Sequence, residues 1–295
     1  MDARLPRERT MTAMAYRDIL LPVCTYPDIL PEAVMRTAAT IAGRLGAAAD
    51  GEVTALALEV RIKPVRNRLA NLLAGIDDLV RKENAANIGR ARTAGLVWEE
   101  IALERGLNSR MQVVPAELFG EAEVLVEAAR TRDICLVPVG SGDPAVAEAV
   151  LFGSGRPVMV FSEGGDVGPA AAFERIAVAW DGSRAAARAL ADALPLLKAA
   201  GEVRILTVLG EKASATAGLG GEVVRHLARH GVKATIDEIK AEGRPIGKVL
   251  EAHVAGSADL LVMGGFGHSR ARDFLLGGAT QSILRQPPTP VFLSH

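Results

Sequence analysis

A repeated α/β fold, with a mostly parallel sheet in each copy, is the architecture that this chain of 295 residues predicts. Two observations carry the prediction. Short β-branched runs alternate with helical patterns, the signature of successive strand, helix and strand units. The alternation then runs a second time, and the copies resemble each other: "VLEAHVAGSADLLVMG" parallels "LVEAARTRDICLVPVG" with a two-residue gap, and "RDILLPVC" parallels "ERIAVAWD", which sets Cys24 opposite Asp181.

Taken in order, the first-half strands are expected at "DILLPV" (18–23), "GEVTALALEV" (51–60), "RMQVVPA" (110–116), "DICLVPV" (133–139) and "RPVMVFS" (156–162). The second half offers "RIAVAW", "EVRILTVL", "KATIDEIK", "ADLLVMG" and "TPVFLSH". Right-handed crossovers place helices on both faces of such sheets, so the reading is two tandem Rossmann-like domains of five strands each. A loose tail is expected over 1–15, the first domain over 16–162, a linker over 163–173 containing "EGGDVGPAAA", and the second domain over 174–295. One stretch has no counterpart in the second half: roughly 64–108, where Leu69, Leu72, Leu73, Ile76, Leu79 and Val80 recur at helical spacing. The last strands of the two halves, "VMVF" and "VFLS", are short apolar edges and are expected to pair with each other about a pseudo-two-fold axis.

Composition narrows the function classes. Hydrophobic residues make up 49% and charged residues 23%, the balance of a globular protein with ample core. With 34 basic and 35 acidic residues the net charge is -1, so no global field favours nucleic acid or an anionic membrane. "MDARLPRERTMTAMA" lacks the apolar core of a secretory signal, and a cytoplasmic protein is expected. Two cysteines, Cys24 and Cys135, fit a reducing compartment and are read as inert buried thiols. Several residues of strand rise should keep them too far apart to bridge.

The candidate site is "MGGFGHSRARDFLLGGATQSIL" (263–284), where Gly264, Gly267, Gly277 and Gly278 are spaced through one segment after an apolar strand. Glycine lets backbone N–H groups approach a ligand closely, and a following helix start supplies unsatisfied donors. Thr280 adds a hydroxyl, and His268 and Arg270 add polar contacts for an anion. Spacing alone leaves this segment divided between a phosphate loop and a plain turn. Asp181 ends an apolar strand at the same sheet edge, with helix capping near Ser183 as its alternative role. Other motifs fail. "GRPIGKV" has one residue too few between its glycines for a P-loop, and Val249 stands where magnesium would need Ser or Thr. "GGFGHSR" lacks the third glycine of a dinucleotide fingerprint, and no nucleophile elbow occurs. His226 and His230 share a helical face without an evident third ligand, so no metal is expected. Glu99 and Glu100 read as a solvated face.

The strand ending in Asp-Gly-Ser at 176–183, together with "GRPIGKVLEAHVAGSADLLVMGGFGHSRARDFLLGGATQSILRQPPTPVFL", resembles the universal stress protein family in its tandem form. The likeness is strong over 174–295 and fainter over 16–162. It implies an adenine-nucleotide pocket, for ATP or a related nucleotide, built from Asp181, Val208, Met263, Gly264, Gly267, Gly277, Gly278, Ala279 and Thr280. Gly278 departs from the pattern, since the ATP-binding branch usually carries Ser or Thr there. The first half departs further: Cys24 replaces the aspartate, Pro138 replaces Gly264, and "GSGDPAVAEAVLFGSGRP" is too short for the full glycine spacing. The expectation is a regulatory, non-catalytic nucleotide-binding protein with one working site per chain and a homodimeric assembly. A scaffold that binds no nucleotide is the alternative.

Overall fold

The computed structural model describes residues 16–64, 76–140, 144–164, 173–210, 217–265 and 278–295. The expected tail and residues 165–172 of the expected linker lie outside the described residues. The first half runs β1 (Asp18–Val23), α1 (Glu32–Ala42, continued by a wider helical turn over Gly43–Ala47), β2 (Glu52–Arg61), α2 (Ile76–Glu104), β3 (Ser109–Glu117), α3 (Glu121–Ala129), β4 (Ile134–Val139), α4 (Ala145–Gly153) and β5 (Val158–Ser162). The second half runs β6 (Arg175–Ala179), α5 (Arg184–Asp192), α6 (Leu194–Ala199), β7 (Glu202–Leu209), α7 (Gly221–Arg229), β8 (Ala234–Lys240), α8 (Ile246–Val254), β9 (Leu260–Gly264), α9 (Gly278–Arg285) and β10 (Val291–Ser294).

All ten strands lie in one sheet, in the order β3-β2-β1-β4-β5-β10-β9-β6-β7-β8. Within each half every pairing is parallel. The exception is the expected seam: β5 and β10 run antiparallel, with Phe292 opposite Met159 at its centre. Two sheets were expected, and the seam joins them into one. The central strands read as continuous apolar runs because both faces are covered; β1, for example, is buried from Ile19 to Val23. On one face α1, α2, α5, α6 and α7 contribute Met35, Trp98, Leu190, Leu197 and Leu227. On the other, α3, α4, α8 and α9 contribute Leu125, Val150, Leu250 and Leu284. Each such side chain, fully withdrawn from water, contributes about 1.5–3 kcal/mol before entropy is subtracted.

The same carboxylate device fixes the start of each half. Asp133 accepts from the backbone N–H groups of Arg17 and Asp18 at 2.8 and 3.0 Å, and Asp259 accepts from that of Arg175 at 2.9 Å. Arg175 also reaches the other oxygen of Asp259 at 2.7 Å. Burial by itself would raise the Asp259 carboxyl, but these donors and the guanidinium charge hold it below its ordinary value.

One expectation needs correction, the burial of Cys24, and two residues elsewhere lie in places that the sequence left open. Leu79, part of the helical pattern in the long insertion, is 65% exposed, and the buried face of α2 consists of Asn87, Ala91, Ala94, Gly95, Trp98, Ile101 and Ala102. Small residues there let the helix lie close to the sheet, and Trp98 fills the remaining space, donating to Ser109 Oγ at 2.8 Å. Phe173, placed in the linker by its neighbours, is buried beneath the Arg44 guanidinium. Cys24, expected to be buried, is exposed just beyond the end of β1; only Cys135 is buried, and both thiols are free.

Candidate functional site

In each half the strand order reverses between the first and fourth strands, and the carboxyl ends of such strands are where open α/β sheets take ligands. In the second half these strands are β6 and β9, with Ala179 paired to Met263. Asp181 therefore follows the end of β6 beside Gly264. Its carboxylate accepts from the Ser183 N–H at 3.0 Å, and Ser183 Oγ in turn accepts from the Ala186 N–H at 3.1 Å, capping α5. Capping belongs directly to Ser183, and Asp181 shapes the turn before it, with Gly182 at a φ of 73°. The cap foreseen as the alternative role of Asp181 is thus made by Ser183, which Asp181 holds in place.

Gly264 has a steric reason to be glycine. A Cβ there would fall 2.5 Å from the backbone of Ala185 and Ala186, so the first turn of α5 rests directly on the end of β9. Met263 and Val208 lie nearly buried in one apolar layer with Ile239, Ala241 and Ile246. From the far side comes α9, which begins at Gly278, continues through Ala279 and buries Thr280. A Cβ on Gly278 would meet nothing within 4 Å. Asp181, Val208, Met263 and Gly264 thus gather at one sheet edge, while Gly267, His268, Arg270 and Gly277 lie outside the described residues.

Sequence reasoning missed the stitching at the entrance to the glycine segment. The Gly265 N–H donates to Ser294 O at 2.8 Å, and His295 Nδ1 donates to Gly265 O at 2.9 Å. Phe152 of the first half stacks edge-on against the His295 ring, with centroids 4.9 Å apart, and Leu151 occupies the space that a Gly265 side chain would need. The adjacent glycines were visible in the sequence. Their partners, far away along the chain, were not.

The first-half crevice is different in kind. Matching the anchoring aspartates sets Cys24 against Asp181 and Pro138 against Gly264, as the repeat predicted. Over Gly140, at the end of β4, lies the Glu163 carboxylate, which fills the space a side chain would take. The Cys24 thiol is pushed up from its usual value, by the enclosing chain first and then by the Glu163 and Glu121 carboxylates, although the residue keeps contact with solvent. These two carboxylates disfavour an anion at the strand ends of this half. His226 of α7 and the exposed His230 just beyond its end meet edge to face, and no group of three metal-ligating side chains occurs among the described residues. No helix among the described residues is long and apolar enough to cross a membrane.

Known proteins share this fold. The universal stress protein family model matches residues 172–295. Among solved structures, a universal stress protein from Archaeoglobus fulgidus DSM 4304 is similar at 20% identity, covering 95% of this chain and 96% of that one with a TM-score of 0.66. A candidate universal stress protein from Pseudomonas aeruginosa UCBPP-PA14 shares 15% identity, with 96% and 94% covered and a TM-score of 0.54. A functionally unknown protein from Pseudomonas aeruginosa PAO1 shares 14%, with 96% and 93% covered and the same TM-score of 0.54. No curated protein matches the chain. Residues 172–295 therefore belong to the universal stress protein family, and the whole chain carries the fold of such a domain twice in tandem.

Proposed function

We propose that the chain is a regulatory protein of the cytoplasm that binds one adenine nucleotide, ATP or a close relative, in its second half and acts by binding rather than by turnover. The observation that carries this reading is the meeting of Asp181, Val208, Met263 and Gly264 at the switch point of the second half, across from the start of α9. Asp181 and the apolar side chains suit the base, and glycine N–H groups with the start of α9 suit the phosphates. Glu163 and Glu121 at the first-half strand ends argue for a single site. The sequence offers neither a magnesium-holding P-loop nor an evident general base, which favours binding over turnover. A second reading, a scaffold that binds no nucleotide, draws support from Gly278, which supplies no hydroxyl to a phosphate.

Isothermal titration with ATP separates the two readings. The proposal expects one nucleotide per chain with a Kd of roughly 1–500 µM. Absence of heat at millimolar ATP favours the scaffold, and a stoichiometry near two overturns the single-site assignment. Identifying any nucleotide released by heat-denaturing the purified protein names the ligand.

A further inference from the structure

The helix between the second and third strands is nine residues long in the second half (α7) and 29 in the first (α2), although the crossovers connect equivalent strands. At 1.5 Å per residue, α2 extends about 43 Å, far more than a crossover needs. Its inner face packs on the sheet. Its outer face carries Ile88, Leu96 and Leu103, which are 47%, 63% and 83% exposed. Arg92 and Glu99 lie on the same stripe, spaced by threes and fours, and neither makes an ion pair among the described residues.

The order of these five residues is self-complementary when the helix is turned end for end. Ile88 and Leu103 are equidistant from a point between Gly95 and Leu96, and so are Arg92 and Glu99. Two copies of α2 laid antiparallel about a two-fold axis at that point bring Ile88 against Leu103, Arg92 against Glu99, and Leu96 beside its own copy. Each apolar residue then meets an apolar one and each charge meets its opposite, twice over, as an isologous interface requires. We infer that the outer face of α2 is a dimerisation surface and that its occupant is the α2 of a second copy of this chain. The inference does not depend on the nucleotide reading.

Sedimentation velocity over about 1–100 µM tests it, since a two-fold interface of this kind responds to concentration. Wild-type chain should form dimers within that range. Leu96→Glu should raise the dimer Kd by about tenfold or more, as should Arg92→Glu and Glu99→Arg singly, while the Arg92→Glu/Glu99→Arg double variant should return to within about threefold of wild type. Far-ultraviolet circular dichroism checks that these exposed substitutions leave the fold intact. A complementary test places Leu96→Cys in a Cys24→Ser background, where mild oxidation should link two chains. A wild-type protein that stays monomeric throughout, a dimer indifferent to Leu96→Glu and Arg92→Glu, or a charge swap that fails to restore pairing overturns the inference.

Discussion

The two halves begin alike and end differently. Both use a 3-2-1-4-5 strand order, and both tie the first strand to the fourth with an aspartate. At the carboxyl ends, however, the second half has Gly264 beneath the first turn of α5 and an open space at Gly278. The first half has Pro138 at the matching strand position, and Glu163 over Gly140. What the strand starts share, the fold demands. The strand ends are where the halves diverge, and at Gly264 the divergence has a visible cause, the close packing of α5 on the end of β9.

The largest effect expected from breaking this comparison is at Gly264. Replacing it with Val drives a side chain into the Ala185 and Ala186 backbone, and urea unfolding should show a loss of about 3 kcal/mol together with loss of nucleotide binding. A variant of wild-type stability would show that α5 does not rest on that residue.

Next in size is the shared anchor. Asp259→Asn should cost about 2 kcal/mol at neutral pH, because the Arg175 donors lose a charged acceptor. The sign with pH follows from the direction of the shift. The folded-state carboxyl lies below its ordinary value of 3.8, so its contribution is complete above that value and disappears as pH falls through the folded one. Urea midpoints of wild type and variant should therefore converge in acid, below about pH 4. A gap that stayed constant from pH 7 to about pH 2 would detach the carboxylate charge from the anchor.

The smallest effect sharpens the comparison instead of breaking it. Gly278→Ser introduces a hydroxyl where a Cβ meets nothing, so stability should stay within about 0.5 kcal/mol while ATP affinity rises up to about tenfold. Unchanged or weaker affinity, measured by titration on folded protein, would remove the phosphate role from the start of α9.

Much of this was legible in the chain itself. Strands buried on both faces betray themselves as apolar runs, and the repeat alignment set Cys24 against Asp181 before any register was known. The β5 and β10 seam followed from two short apolar edges with no other partner. What periodicity could not report was which apolar residues of α2 face inward: Ala91, Ala94 and Gly95 permit close approach, so the bulkier Leu96 and Leu103 are left outside. The Glu163 carboxylate over Gly140 and the Phe152 stack on His295 are long-range meetings, and local sequence has no signal for them.

The antiparallel seam carries one more consequence. Two separate chains joined along such an edge would come apart on dilution, and, being identical, any loss in one binding crevice would be a loss in both. Tethering the partners puts each edge strand at an effective concentration on the order of millimolar, independent of how much protein the cell makes. The linked pair can therefore hold two unlike crevices in fixed one-to-one proportion, so that one copy is free to drift in chemistry while its edge strand continues to complete the sheet of the other.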